Sequence, residues 1–244
     1  MNAMPRTPKK PGTAATAAPT AATATASRTA PRGRDPAATR QRMVAAARDL
    51  VLRQGYSATG VDQICRDAGV TKGAFFHHFE SKDRLGEAIL ADWADFGMSA
   101  FALARRGPAR HPLGSFHRFI DILIGFARDL PPPVTCVIGI VAQEKATANP
   151  ALREACSHHL DSWTTFVGEL LDEAKAAQRP ASDFDSGEVA SLVNSVWQGS
   201  MLIAKAHQDP GMIVRNLEHA RAYVDGLFGA RAEPPERRKR RSRR

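Results

Sequence analysis

Between two low-complexity ends, apolar residues recur every three or four positions, the period of an amphipathic helix, and strand-like alternation never persists. Met43, Ala47, Leu50 and Val51 mark a helical face over 36–54, stopped by Gly55. Val61, Ile64 and Ala68 mark a short helix, 61–68, that ends at Gly69. Thr71 is placed to cap a third, 72–78. Ser81 is placed to cap a fourth, carrying Leu85, Ile89, Trp93, Phe96 and Ala100. Gly107-Pro108 and His111-Pro112 then break the chain.

The second half uses the same signals in longer units. Leu113, Phe116, Ile120, Leu123, Ala127 and Leu130 form one face, halted at Pro131-Pro132-Pro133. The apolar piece Val134–Ala142 leads into a helix ending near Asn149, and Asn149-Pro150 opens a long helix to Ala177. Asp185, with Glu188 three residues on, starts a helix to about 207. Asp209-Pro210 opens the last, to about 229. The pattern predicts an all-α fold of about nine helices. An N-terminal helix-turn-helix three-helix domain precedes a larger C-terminal helical bundle.

Composition sharpens this picture. The longest apolar run, Val134–Ala142, is interrupted by Thr135 and Gly139 and is far short of the ~20 residues that span a bilayer. No membrane partner is expected. Three cysteines in 244 residues argue against a disulfide framework and for a reducing compartment. The formal net charge is +9, but residues 1–35 hold six basic side chains and one acidic, and 231–244 hold eight and two. Residues 36–230 are left at −2. The basic balance therefore describes the two ends, a disordered Ala/Thr/Pro tail and a disordered Arg/Lys tail, and not the folded part.

Residues 61–78 carry the most specific signal. Two short helices separated only by Gly69-Val70-Thr71 must cross steeply, as in a helix-turn-helix. The second helix of such a unit enters the major groove with its first residues against base edges. Here those are Thr71, Lys72, Gly73 and Ala74, with His77 one turn on. Lys72 suits guanine acceptors or phosphate, the Ala74 methyl suits thymine, and Gly73 lets the backbone approach closely. His78 and Lys82 stand where cations could hold flanking phosphates. A tight helical corner without DNA is the other reading of this spacing.

The longer string Val70-Thr71-Lys72-Gly73-Ala74-Phe75-Phe76-His77-His78-Phe79-Glu80-Ser81-Lys82-Asp83-Arg84-Leu85 resembles the signature of the tetracycline-repressor (TetR) family. Gly55-Tyr56, Thr59, Val61, Ile64 and Ala68-Gly69-Val70 match the same pattern. The resemblance implies a bacterial, cytoplasmic and nucleoid-associated transcriptional regulator, most often a homodimeric repressor released from a palindromic operator by a small molecule. It implies a DNA-binding domain over 36–82, a linking helix over 82–105 and an effector-binding and dimerisation domain over 106–230. Carried over, Lys72, Gly73, Ala74 and His77 face bases, and Thr59, His78 and Lys82 contact phosphates. Phe76 stands where the family usually has a Tyr whose hydroxyl bonds a phosphate, so that contact is missing or replaced by van der Waals packing.

The second half resembles the family's effector-binding half, with Cys136-Val137-Ile138-Gly139, Asn149-Pro150-Ala151-Leu152-Arg153 and Val196-Trp197-Gln198-Gly199 matching one subgroup. Some members of that subgroup sense electrophiles or oxidants through a cysteine at the position of Cys136. Cys136 is therefore a candidate reactive thiol, plain packing being its other reading. Phe101, Phe119, Leu123, Ile140, Trp163, Phe166, Trp197 and Met201 are candidate pocket residues for an apolar or aromatic effector, with Gln198 and His159 as polar anchors. The last two helices are expected to form the dimer interface, small residues such as Ala190, Asn194, Gly199 and Ala220 allowing close approach.

Two rival classes have less support. Adjacent His77-His78 and His158-His159 point about 100° apart on a helix and cannot chelate together. No His-x-x-x-His, CxxC, GxSxG, P-loop or GxGxxG motif is present, so no enzyme, metal or cofactor is expected. An architectural protein binding DNA non-specifically through its basic tails is the second rival.

Overall fold

The structure, a computed structural model, describes residues 35–107, 111–130 and 133–229. Apart from Asp35, the two basic tails lie outside the described residues, as do Pro131 and Pro132. Nine α-helices make up the described part, with no strand among these residues: α1 (Pro36–Gln54), α2 (Val61–Ala68), α3 (Lys72–His78), α4 (Lys82–Phe101), α5 (Gly114–Asp129), α6 (Val137–Lys145), α7 (Pro150–Ala177), α8 (Ser186–His207) and α9 (Gly211–Leu227). A single 3₁₀ turn, Ala102–Arg105, continues α4.

Local chemistry sets the helix starts. The side chains of Thr71, Ser81, Asn149 and Asp185 each accept the backbone N–H three residues on, at 2.8–3.1 Å. Asp35 caps α1 ahead of Pro36, whose missing N–H would be unpaired there anyway. One boundary departs from expectation. The apolar piece after Pro133 starts extended, Cys136 is the N-cap of α6, and α6 ends at Lys145 rather than near Asn149. The Asn149 N–H still bonds the Lys145 carbonyl, closing a tight corner that frees the Asn149 side chain to cap α7.

One contiguous core runs through both halves. Met43, Leu50, Ile64, Phe75 and Leu85 fill it near the first three helices, and Phe116, Phe119, Leu152, Leu170, Val193 and Leu217 fill it in the bundle. Each large side chain so buried is worth about 1.5–3 kcal/mol. The 20 residues of α4 rise about 1.5 Å each, giving a rod of ~30 Å that leaves the α2–α3 corner and enters the bundle. Cross-links fasten the last helices: His117 Nε2 lies 2.6 Å from Asp225 Oδ1, and Arg221 pairs with Asp121.

Candidate nucleic-acid interface and interior cavity

The α2–α3 corner is built by its turn. Gly69 has φ +64°, a left-handed conformation that suits glycine. There the Val70 N–H reaches the Cys65 carbonyl at 2.9 Å and the Gly69 N–H reaches that of Arg66 at 3.2 Å. Phe75 and Phe79 point inward and anchor α3, and the guanidinium of Arg40 lies 4.9 Å from the Phe79 ring. Thr71, Lys72, Gly73, Phe76 and His77 are exposed, while Ala74 and His78 are half-buried. Lys72 Nζ sits 3.0 Å from Asp62 Oδ1 in an open surface pair, which is worth little and leaves the ammonium free to change partner. Phe76 is 51% exposed, its ring edge-on to Phe75 at 5.2 Å. An exposed phenyl ring beside Lys72 and His77 gives this face an apolar contact surface in place of a hydroxyl.

Two residues expected at phosphates are engaged within the protein. Thr59 is 1% exposed, and its hydroxyl donates to the Gly55 carbonyl at 2.7 Å, so it holds the α1–α2 loop together. Lys82 donates to the Tyr56 carbonyl at 2.6 Å, with its ammonium 4.4 Å from the Tyr56 ring centre. Burial and the nearby Lys145 lower its pKa. Both residues brace the loop between α1 and α2.

That loop is the junction between the two halves. Glu144, on α6, accepts the Ser57 N–H at 2.6 Å and the Tyr56 N–H at 3.2 Å. Burial would raise its pKa, but these N–H donors, with help from Lys145, hold it below the ordinary carboxylate value. Gly55 permits this approach: its φ is +89°, and a Cβ there would stand 2.5 Å from Glu144 Oε1. The Tyr56 hydroxyl donates to Asp83 Oδ1 at 2.7 Å, and Asn149 Nδ2 donates to Asp83 Oδ2 at 2.8 Å. Burial and Asp83 push the Tyr56 pKa up, so the phenol stays protonated as a donor. Glu144 and Asn149 thus tie α6 and the start of α7 to the loop and to the first turn of α4. Neither was singled out for this role by the sequence, since their partners lie 87 and 66 residues away.

Inside the bundle lies a cavity of about 240 Å³. Phe101, Cys136, Trp163, Trp197, Gln198, Met201 and His159 line it. Phe119 and Leu123 do not: both are fully buried, with the Phe119 ring behind Phe101 and Trp163 at 5.2 and 5.3 Å. Phe166 packs beside Phe101 with Arg105 4.6 Å from its ring centre. Ile140 lines a separate crevice with Gly139, Glu144 and Arg53. Trp93, Phe96 and Phe126 were missed as lining residues. Trp93 and Phe96 sit at core spacing on α4, and sequence periodicity does not separate a core face from a cavity wall.

The ionisable groups at the cavity are few. His159 has its pKa lowered by burial and by His158, against an opposing pull from Asp95, so it is mainly neutral at pH 7. Cys156 is buried, its pKa raised to about 11 by desolvation, and it donates to the Ile138 carbonyl at 3.7 Å, which fits packing. Burial also raises the Cys65 thiol. Among the described residues no group of His, Cys, Asp and Glu could hold a metal ion, and no helix is long and apolar enough to cross a membrane. On the outer side of α8 and α9, Leu192, Ile203 and Tyr223 are exposed around a groove that includes Gly199 and Ala220. Ala190 and Asn194 turn inward instead, Asn194 donating to Thr164 at 3.1 Å.

The sequence profile of the bacterial regulatory proteins of the tetR family matches residues 43–89, and that of the tetracyclin repressor-like C-terminal domain matches 112–220. The chain belongs to the TetR family. It is similar to the transcriptional regulator AcuR of Cereibacter sphaeroides, 27% identical over 187 residues, covering 74% of this chain and 83% of that protein. It is also similar to the transcriptional repressor DhaR of Mycobacterium sp. strain GP1, 26% identical over 195 residues, covering 78% and 91%. A TetR regulator of known structure from Chloroflexus aurantiacus superposes with a TM-score of 0.68 at 26% identity, covering 78% of this chain and 95% of that one. One from Rhodobacter sphaeroides gives 0.66 at 25%, covering 75% and 96%. This TetR-family chain is a DNA-binding transcriptional regulator; the family's members are typically repressors, bind operators as dimers and respond to small molecules. Such regulators are generally not enzymes.

Proposed function

We propose that the protein is a homodimeric repressor whose α3 reads a palindromic operator, and that a small molecule in the bundle cavity releases it. The exposed row Thr71, Lys72, Gly73, Phe76 and His77 on a helix anchored by buried Phe75 carries this reading. Ala74 and His78 flank that row. The working parts are a DNA-binding domain over 36–82, a linking helix over 82–105 and a sensor and dimerisation domain over 106–230. Two copies would pair through the exposed apolar groove of α8 and α9, setting two recognition helices about 34–36 Å apart. The Glu144 and Asn149 hydrogen bonds supply the route by which a shift of α6 or α7 reaches the α1–α2 loop and α4.

Selecting bound fragments from random-sequence DNA tests this. A regulator prefers one palindrome over random DNA by roughly 10³ or more. An architectural protein working through its tails shows no such preference. Cys136 offers a covalent version of release: it lines the cavity and stands at the N-cap position of α6. If Cys136→Ser keeps full release by electrophiles, that version is wrong while the non-covalent one stands.

A further inference from the structure

The cavity has a definite chemical character. Six aromatic rings line it: Trp93 and Phe96 from α4, Phe101 at its end, Phe126 from α5, Trp163 from α7 and Trp197 from α8. Four of them form a continuous wall, with centroid separations of 5.7 Å for Trp93–Phe96, 5.8 Å for Phe96–Phe126 and 6.2 Å for Phe101–Phe126. No lysine or arginine is among the described lining residues, and Asp95 supplies the one carboxylate. In the adjoining surface groove, Arg48 is already paired with Asp92 at 2.8 Å, and Arg53 faces Asp67 at 3.6 Å. Aromatic faces attract cations, most strongly where water is excluded, and a carboxylate at the edge adds to the attraction. An anion there would meet π faces and Asp95, with only the imidazoles of His158 and His159 to pair with.

We propose that the effector is a small aromatic ammonium compound, its ring among these aromatic residues and its cationic group toward Asp95, and that carboxylates and phosphates are rejected. This rests on the reading of the cavity as the effector site, and its test is independent of DNA. All three tryptophans of the chain line this cavity, Trp93 at its border with the adjoining groove, so intrinsic tryptophan fluorescence responds to binding there. The full chain is titrated with benzyltrimethylammonium, benzyl alcohol and phenylacetate, matched in ring size and differing in charge. The expected order is cation, alcohol, anion, with at least roughly tenfold between the first and last, equivalent to ~1.4 kcal/mol. Asp95→Asn, at an exposed position that leaves the fold intact, should weaken the cation severalfold and leave the alcohol unchanged. Phenylacetate binding as tightly as the cation, an unchanged cation affinity in Asp95→Asn, or no response to any of the three overturns the proposal. If the cation binds but never releases operator DNA, the ligand-release reading fails while the chemistry of the cavity stands.

Discussion

Helix α3 and the cavity are built in opposite ways. The proposed DNA-facing surface comes from one short stretch, Thr71 to His78, folded by a cap, a left-handed glycine and two buried phenylalanines within that neighbourhood. The cavity draws its lining from residues between 93 and 201, spread over several helices. A surface made of neighbours keeps its shape when distant parts move, whereas a cavity between helices changes when any of them shifts. This division suits the proposed function: a rigid reader coupled to a deformable sensor. Variants on one side should therefore spare the other, and only the junction should disturb both.

The largest expected effect is on the reader's anchor. Phe75→Ala empties a fully buried site and should cost about 3–5 kcal/mol, measured by thermal or denaturant unfolding, with loss of operator binding. Lys72→Ala should weaken binding to the selected operator by roughly 1–3 kcal/mol with an unchanged melting temperature, because its pair with Asp62 lies in solvent. Tryptophan fluorescence titrations should be unaffected; a change there would break the separation of reader from sensor. Glu144→Gln removes the charge from two hydrogen bonds at the junction and should cost about 1 kcal/mol. It should leave benzyltrimethylammonium binding intact while blunting its effect on operator affinity, and equal response in wild type and variant would show that coupling runs elsewhere.

Two smaller effects sharpen the contrast. Phe76→Tyr adds the hydroxyl that this chain lacks and should tighten operator binding by about 0.5–1 kcal/mol, read by a DNA-binding titration. On the cavity side, the His159 pKa is lowered, so the ring is neutral above its ordinary value of 6.5 and protonates only as pH falls below it. Protonation there, between Asp95 and His158, adds a positive charge. Affinity for benzyltrimethylammonium should be flat above pH 6.5 and fall severalfold below it, and His159→Gln should shrink that fall.

What sequence alone determined here is local. Thr71, Ser81, Asn149 and Asp185 each bond a backbone N–H three residues away, so the helix starts were legible, as was the exposed face of α3 that follows from one of them. The tertiary structure decided the rest. Thr59 and Lys82 match the family's phosphate contacts in sequence, yet both are drawn into the loop around Tyr56 by partners that only packing supplies. Phe119 reads as a pocket residue and Trp93 as core at helical spacing, but the first meets other side chains and the second meets open space. Periodicity reports that a side chain faces inward. Whether it finds a neighbour or a cavity depends on helices distant in the chain, and that is settled only when they pack.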